Sequence, residues 1–308
     1  MTNNMTSISP TSMRSPTTRE RFLRKLLDDA GLRYEVRFTA DGLPYAAFQL
    51  GDFTGEPIGF TARIRGAVLQ FTAPALVRTA AVEDELRAID GFNYRWGLGR
   101  IYHQVEQDFW EAAETLYVGD TTPDSPALTQ AVSELVDVAH LVRDRACFER
   151  DESAMAAFFE RGRQRIPIAA NGSTMLDVEG ALSRLGLRYR LSDDGQRLLL
   201  RLRESNEREF LVDIFKTEQK YLHVRAQHVP ERAVPEDQTT FQKLQRLNAG
   251  VLTGAVLFAP DPPRLYHRAV LPLAWAKIDA ETIGWLIDHA AAALEAIEDK
   301  VTTTERAS

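Results

Sequence analysis

The sequence repeats itself at a long, fixed spacing, and a chain built that way folds as two versions of one unit. Gly31-Leu32-Arg33-Tyr34 returns as Gly186-Leu187-Arg188-Tyr189, an offset of 186 − 31 = 155. At that offset Phe60 falls on Phe215. Leu86, Ile89, Phe92, Asn93, Trp96 and Gly99 fall on Phe241, Leu244, Leu247, Asn248, Val251 and Gly254. Leu116, Val118, Asp124, Leu128 and Val132 fall on Leu271, Leu273, Asp279, Ile283 and Ile287. No gap is needed from Leu26 to Val142, and a chain of 308 residues is long enough to give each copy its own core.

Each copy reads as the same series of elements. An opening helix is predicted where Thr17 and Glu20 have capping-box spacing. Phe22, Leu23, Leu26, Leu27 and Ala30 make one apolar stripe there, and Gly31 ends it. In the second copy Thr174 is the expected cap, Val178, Leu182 and Leu185 the stripe, and Gly186 the stop. Strands at 32–38 and 45–50 flank the turn Ala40-Asp41-Gly42-Leu43; strands at 187–191 and 197–203 flank Asp193-Asp194-Gly195. A third strand pair lies in 58–71, matched by 210–226, and is counted as one strand of the series. A second helix is expected at 82–96 and 239–251, followed by a hairpin that turns at 105–108 and 260–263. The closing helices start at Asp124 with Pro126 and at Asp279. Leu128, Val132, Leu135, Val136 and Ala139 line one; Ile283, Ile287, Ala290, Leu294 and Ile297 line the other.

The order is α-β-β-β-α-β-β-α, with the strands joined by hairpins or short loops. That predicts an α+β fold: two tandem domains, each a mainly antiparallel sheet with helices packed on it. The domains are expected at 18–150 and 169–301, joined by a helical linker at 151–168. Met155, Phe158 and Phe159 have helical spacing in that linker, and Pro167 and Asn171-Gly172 break it. Residues 1–17 and 302–308 read as disordered polar tails.

Composition narrows the function classes. The net charge is -7 with a pI near 5.5, which argues against a general nucleic-acid or anionic-membrane binder, since those usually carry a basic face. No apolar run approaches the roughly 20 residues that cross a bilayer. The first residues lack the apolar core of a signal peptide. Cys147 is the sole cysteine, so no internal disulfide points to an oxidising compartment. A soluble cytoplasmic protein is expected.

The chemistry-bearing residues have structural explanations. Gly97-Leu98-Gly99-Arg100 lacks a following Gly-Lys-Ser/Thr and leads into a strand, so it reads as a turn and not as a phosphate loop. His103, His140, His223, His228, His267 and His289 include no pair at i, i+4 spacing. His223 and His228 on one strand point to opposite faces, so no metal site is expected. His267, with Tyr266, is expected to face solvent or a cross-strand neighbour. There is no Gly-X-Ser-X-Gly elbow. Cys147 sits among Arg143, Arg145 and Arg150, a setting that can activate a thiol; packed beside Phe148 it would be inert, and inertness is the reading taken. Asp28-Asp29, Asp193-Asp194 and Glu83-Asp84-Glu85 occupy a helix end, a turn and a first helical turn. Arg19, Arg21, Arg24 and Lys25 read as the solvated face of the first helix. No catalytic residue, metal or cofactor is expected.

Asn93 and Asn248 each lie near the end of the second helix, one turn after an apolar residue. A buried amide there ties the helix end to the next strand, a structural role. Phe109 and Trp110 are consecutive, so on a strand one is core and the other faces solvent, a helix or a partner. Trp96 and Trp285 read as core residues. Any exposed member of the set Trp96, Phe109, Trp110, Tyr117 and Trp285 is a candidate partner-binding residue, because large aromatics anchor protein interfaces.

The order of elements, the asparagine of the second helix and the hairpin Leu265-Tyr266-His267-Arg268-Ala269-Val270-Leu271-Pro272-Leu273 resemble the YbjN-type family. Its domains are similar in fold to the dimeric chaperones of type III secretion. The second copy follows the pattern more closely. The first has Leu116-Tyr117-Val118 in place of Leu-Pro-Leu, and Trp96 and Trp110 where the second has Val251 and Leu265. The resemblance implies a non-enzymatic protein-binding module, chaperone-like or regulatory, associated with stress. It also implies domains that dimerise and hold a client segment in extended form. A protein partner or client and a homodimer are therefore expected, without a membrane and without direct nucleic-acid binding. Two alternatives stand beside this. An enzyme of unrecognised type acting on a small molecule would have a deep pocket with shifted ionisable groups. A nucleic-acid-associated protein would gather Arg and Lys on one face.

Overall fold

A computed structural model describes residues 3–4, 16–51, 57–65, 68–104, 107–118, 125–165, 175–203, 208–218, 220–229, 233–273 and 278–302. A two-residue strand, β1 (Asn3–Asn4), comes first. The first repeat runs α1 (Pro16–Asp29), β2 (Glu35–Phe38), β3 (Pro44–Gly51), β4 (Pro57–Arg65), β5 (Val68–Arg78), α2 (Glu83–Trp96), β6 (Gly99–Gln104), β7 (Phe109–Tyr117) and α3 (Ser125–Arg143). Helix α4 (Glu152–Arg165) follows. The second repeat runs α5 (Met175–Arg184), β8 (Arg190–Leu191), β9 (Arg197–Arg203), β10 (Glu209–Thr217), β11 (Tyr221–Val229), α6 (Gln238–Gly250), β12 (Ala255–Pro260), β13 (Pro263–Pro272) and α7 (Ala280–Thr302).

The fold is α+β, with two sheets. The first has the order β2-β3-β4-β5-β7-β6, and every neighbouring pair in it is antiparallel. The second has the matching order β9-β10-β11-β13-β12, with β8 antiparallel to β9 and β1 parallel to it. Each repeat contains one strand more than the expected series, because the region at 58–71 is a pair, β4 and β5, and its counterpart is β10 and β11. A sheet residue needs a partner on each side, and the antiparallel return of β5 on β4 supplies it.

The turns and helix ends follow the expected chemistry. Gly31 and Gly186 close α1 and α5 at φ 69° and 68°, in the left-handed region where glycine has no Cβ penalty. The apolar stripes are buried: Leu23, Leu26 and Leu27 on α1, Val178 and Leu182 on α5. On α3, Leu128, Val132, Leu135 and Ala139 are buried, and so are their counterparts Ile283, Ile287, Ala290 and Leu294 on α7. Asp124 and Thr174, the expected caps of α3 and α5, lie outside the described residues.

The offset of 155 holds where helices and the last hairpin are concerned. Arg100 pairs with Ala113 as Ala255 pairs with Arg268, and 255 − 100 equals 268 − 113. It fails between α1 and α2. Leu69 pairs with Leu116 as Leu222 pairs with Leu271, an offset of 222 − 69 = 153 within β5 and β11. On β4, Ile58, Phe60, Ala62 and Ile64 are buried; on β10, Phe210, Val212 and Ile214 are buried. An odd offset cannot bring these two sets together. The match of Phe60 with Phe215 is therefore wrong: Phe60 is core and Phe215 points to the other face. Because side chains alternate along a strand, a slip of one residue exchanges the two faces.

The chain divides into two compact units, 10–166 and 1–9 with 167–308. Helix α4 is part of the first unit and is not a linker. Met155 and Phe158 are buried, and the Phe158 ring lies 5.6 Å from Phe92 and 6.3 Å from Trp96. The tail expected at 1–17 also needs correction: α1 begins at Pro16, and Asn3 and Asn4 pair with Leu202 and Arg203. Residues 303–308 lie outside the described residues.

Candidate functional site

Asn93 and Asn248 make the same two-ended clamp. The Asn93 Nδ2 donates to the Ile101 carbonyl at 2.8 Å, and the Ile101 N–H donates back to Oδ1 at 2.7 Å. The Asn248 Nδ2 donates to the Val256 carbonyl at 3.0 Å, and the Val256 N–H donates back at 2.7 Å. Each amide thereby ties its helix to the first strand of the last hairpin and satisfies two main-chain groups that the helix end would otherwise leave buried and unpaired. The neighbouring glycines serve the same joint. A Cβ on Gly99 would lie 2.5 Å from the Ala113 carbonyl oxygen, and one on Gly254 only 2.1 Å from that of Arg268. Close backbone approach, not phosphate binding, accounts for the glycines here.

The aromatic set does not form an exposed cluster. Trp96, Trp110 and Trp285 are all buried. The Trp96 indole donates to Glu134 Oε2 at 3.4 Å, and the Trp110 ring packs 4.9 Å from both His103 and Phe148. Trp96 and Trp285 are core residues, as their core reading has it, and Trp110 is the core member of the pair Phe109–Trp110, so none of the three offers an exposed partner contact. Strand alternation puts Phe109 and Tyr117 on the opposite face of β7 from Trp110, where both are half-buried.

The remaining candidates are engaged structurally. Cys147 is buried, its Sγ lies 3.4 Å from the Leu141 carbonyl, and burial pushes the thiol up to about 12. Arg145 does not activate it but holds Glu85. His267 is fully buried, which removes the solvent-facing alternative; it pairs across the sheet with Ala226 and Val256, with Nε2 2.9 Å from the Thr253 carbonyl. His223 and His228 do point apart: His223 stacks 4.8 Å from Phe215, and His228 reaches the Leu294 carbonyl on α7. Among the described residues no group of three or more His, Cys, Asp or Glu could hold a metal ion. Asp28 accepts from Tyr34, Asp193 from Arg190 and Glu83 from Arg87. Arg24 pairs with Glu20 at 2.8 Å along its own helix.

Two polar arrangements come from residues far apart in the sequence. In the first repeat the buried side chains of Glu114, Gln130, Glu134 and Trp96 gather between β7 and α3. Gln130 donates to Glu134, and the indole of Trp96 lies over Gly99, the cross-strand partner of Glu114. Burial, and then the charge of Glu134, holds the Glu114 carboxyl well above the ordinary carboxylate range. Both acids are enclosed, so the pair presents no carboxylate to a substrate. The same positions in the second repeat hold Ala269, Trp285, His289 and Val251, so the fold does not require the acids. That contrast was the signal available at the offset of 155.

In the second repeat the buried Asp213 Oδ2 accepts from Arg197 at 3.1 Å and from Arg225 at 2.8 Å across three adjacent strands. His223 lies on the same face, and burial, with the Arg268 charge, brings its imidazole down to about 3, so it is neutral. The first sheet carries Arg63, Arg100, Tyr102 and Glu111 on the corresponding face. Burial lowers the Arg100 guanidinium to about 10, which leaves it charged at neutral pH.

Among the described residues the large exposed apolar side chains are Phe38, Val82, Tyr94, Leu176 and Leu191, and two of them lie on strands. Phe38 on β2 is 55% exposed and Leu191 on β8 is 45% exposed. Each sits on the outermost strand of its first hairpin, directly before the turn hydroxyl of Thr39 or Ser192. Those hydroxyls bond Asp41 and Asp194, and Gly42 and Gly195 follow at φ 76° and 67°. The two positions are thus equivalent.

No protein-family model and no curated protein matches the chain. Among solved structures, the di-domain ARO/CYC BexL from the BE-7585A biosynthetic pathway aligns over 95% of each chain, at 12% identity and a TM-score of 0.15. A likeness that slight carries no argument about fold or activity. No helix among the described residues is long and apolar enough to cross a membrane.

Proposed function

We propose that the chain is a non-enzymatic protein-binding module, chaperone-like or regulatory, built from two YbjN-like repeats. It binds a protein partner or client through sheet edges, works in the cytoplasm and pairs as a homodimer. The observation that carries the reading is the equivalent exposure of Phe38 and Leu191 on the edge strands. An outermost strand offers main-chain groups to an incoming chain, and natural proteins usually blunt such edges with charge. Both edge strands are short and do carry charge, Glu35 and Arg37 on β2 and Arg190 on β8, yet each repeat also places a large exposed apolar side chain at the same edge position, which suits a protein contact. The lone buried thiol of Cys147 fits a reducing compartment.

Affinity capture from native lysate with wild-type chain and with Phe38→Asp combined with Leu191→Asp tests the reading. The wild type is expected to retain a stoichiometric protein that the variant loses, with far-ultraviolet circular dichroism unchanged. Equal recovery by both chains, or recovery of only a small molecule or nucleic acid, would overturn it.

A further inference from the structure

We infer that the outer flank of β9 is an acceptor for an extended polypeptide strand, and that the N-terminal residues of this chain occupy it as a resident stand-in. The inference deepens the reading of sheet edges as protein-binding surfaces and rests on it. In both repeats the outermost strand covers only part of its neighbour. Strand β2 spans Pro44 to Ala47 of β3, and β8 spans only Leu198 and Leu199 of β9. The rest of each flank, Phe48 to Gly51 on β3 and Leu200 to Arg203 on β9, lies beyond its edge strand. In the second repeat Asn3 and Asn4 fill the gap, lying parallel to β9 opposite Leu202 and Arg203. This flank therefore accepts an added strand, and the direction of the added strand is defined.

A strand of two residues cannot repay its own backbone ordering through so few main-chain bonds. Its persistence relies on being part of the same chain, which makes the pairing intramolecular. A free segment that pairs along all of Leu200–Arg203 makes more bonds and displaces it. The side chains of β9 define what that segment carries. Leu198, Leu200 and Leu202 are buried on the helix side, and Arg197, Arg201 and Arg203 project on the other face. A strand laid alongside sets its alternate side chains next to each row. The complementary segment alternates apolar residues with Asp or Glu. Strand β10, on the other flank of β9, already follows this rule: Glu209 accepts from Arg201 at 2.7 Å and Asp213 from Arg197 at 3.1 Å.

The test compares the full chain with the full chain carrying Asn3→Pro and Asn4→Pro, because proline has no N–H for the ladder. The probe is a fluorescein-labelled octapeptide of alternating Val and Glu, followed by anisotropy, with an octapeptide of alternating Val and Lys as its control. The proline variant is expected to bind the Val-Glu peptide about tenfold or more tighter than the wild type, since the tethered competitor is gone. Neither protein should hold the Val-Lys peptide comparably. Hydrogen exchange at Leu200–Arg203 should be faster in the variant and should slow when the Val-Glu peptide is added. Equal affinity of the two proteins, binding to neither, or equal binding of both peptides overturns the inference. If these fail while Phe38→Asp with Leu191→Asp still releases the captured protein, the strand-acceptor site falls and the protein-binding reading stands.

Discussion

Asn248 engages one residue of a neighbouring strand with both ends of its amide, and nothing apolar can replace that. The change Asn248→Leu leaves the N–H and carbonyl of Val256 buried without partners, which should cost about 1–3 kcal/mol. Urea unfolding checks it, and an unchanged midpoint would contradict the clamp. Glu114 makes the opposite prediction. Its folded-state carboxyl titrates above the ordinary 4.5, so the native state keeps a proton that the unfolded chain releases. The stability from this group is complete below 4.5 and is lost as pH rises through the higher folded value. Glu114→Gln should therefore gain stability over the wild type, and the gain should be larger at mildly alkaline than at mildly acidic pH. Urea midpoints at the two conditions measure it; parallel midpoints would count against a buried proton. The asparagines were legible because they recur at one offset on one helical face. The acid pair was not, because only the closing of α3 over β7 brings Glu114 and Glu134 together.

Among the elements, helices were easier to read than strands. An apolar stripe on α3 or α7 names its buried face whatever lies beneath it, and the burial of Leu128, Ile283 and their neighbours follows from the spacing. A strand has only two faces, so an odd error inverts it, and that is how Phe60 came to be matched with Phe215, three residues past its true counterpart Val212. Helix α4 was legible as a helix from Met155, Phe158 and Phe159, but its docking was not, because spacing does not say what an apolar stripe meets. The docking is testable. Phe158→Ala should cost about 3–5 kcal/mol, as expected for removing a buried aromatic ring. The loss should fall on the first unit, whose tryptophans Trp96 and Trp110 report its unfolding by fluorescence. A mere linker would tolerate the change.

At the scale of the whole molecule, the proposed homodimer predicts a mass by light scattering of twice 34.6 kDa, and the mass of a single chain would reject it. A two-fold assembly of this kind uses the same patch on both subunits, so Phe38→Asp with Leu191→Asp should leave the mass unchanged unless the edges themselves pair. The amino-acid sequence alone determined that there are two related α+β units, that Gly31 and Gly186 end their opening helices, and which asparagine and glycine positions are special. Those properties depend on neighbours a few residues away, or on a repeat that compares the chain with itself. Tertiary structure decided the strand register between α1 and α2, the docking of α4, which of Phe109 and Trp110 is buried, the burial of His267, and the placing of Asn3 and Asn4 beside β9. Each of these depends on which distant segment closes over a given face, and burial is a property of that closure and not of the residue.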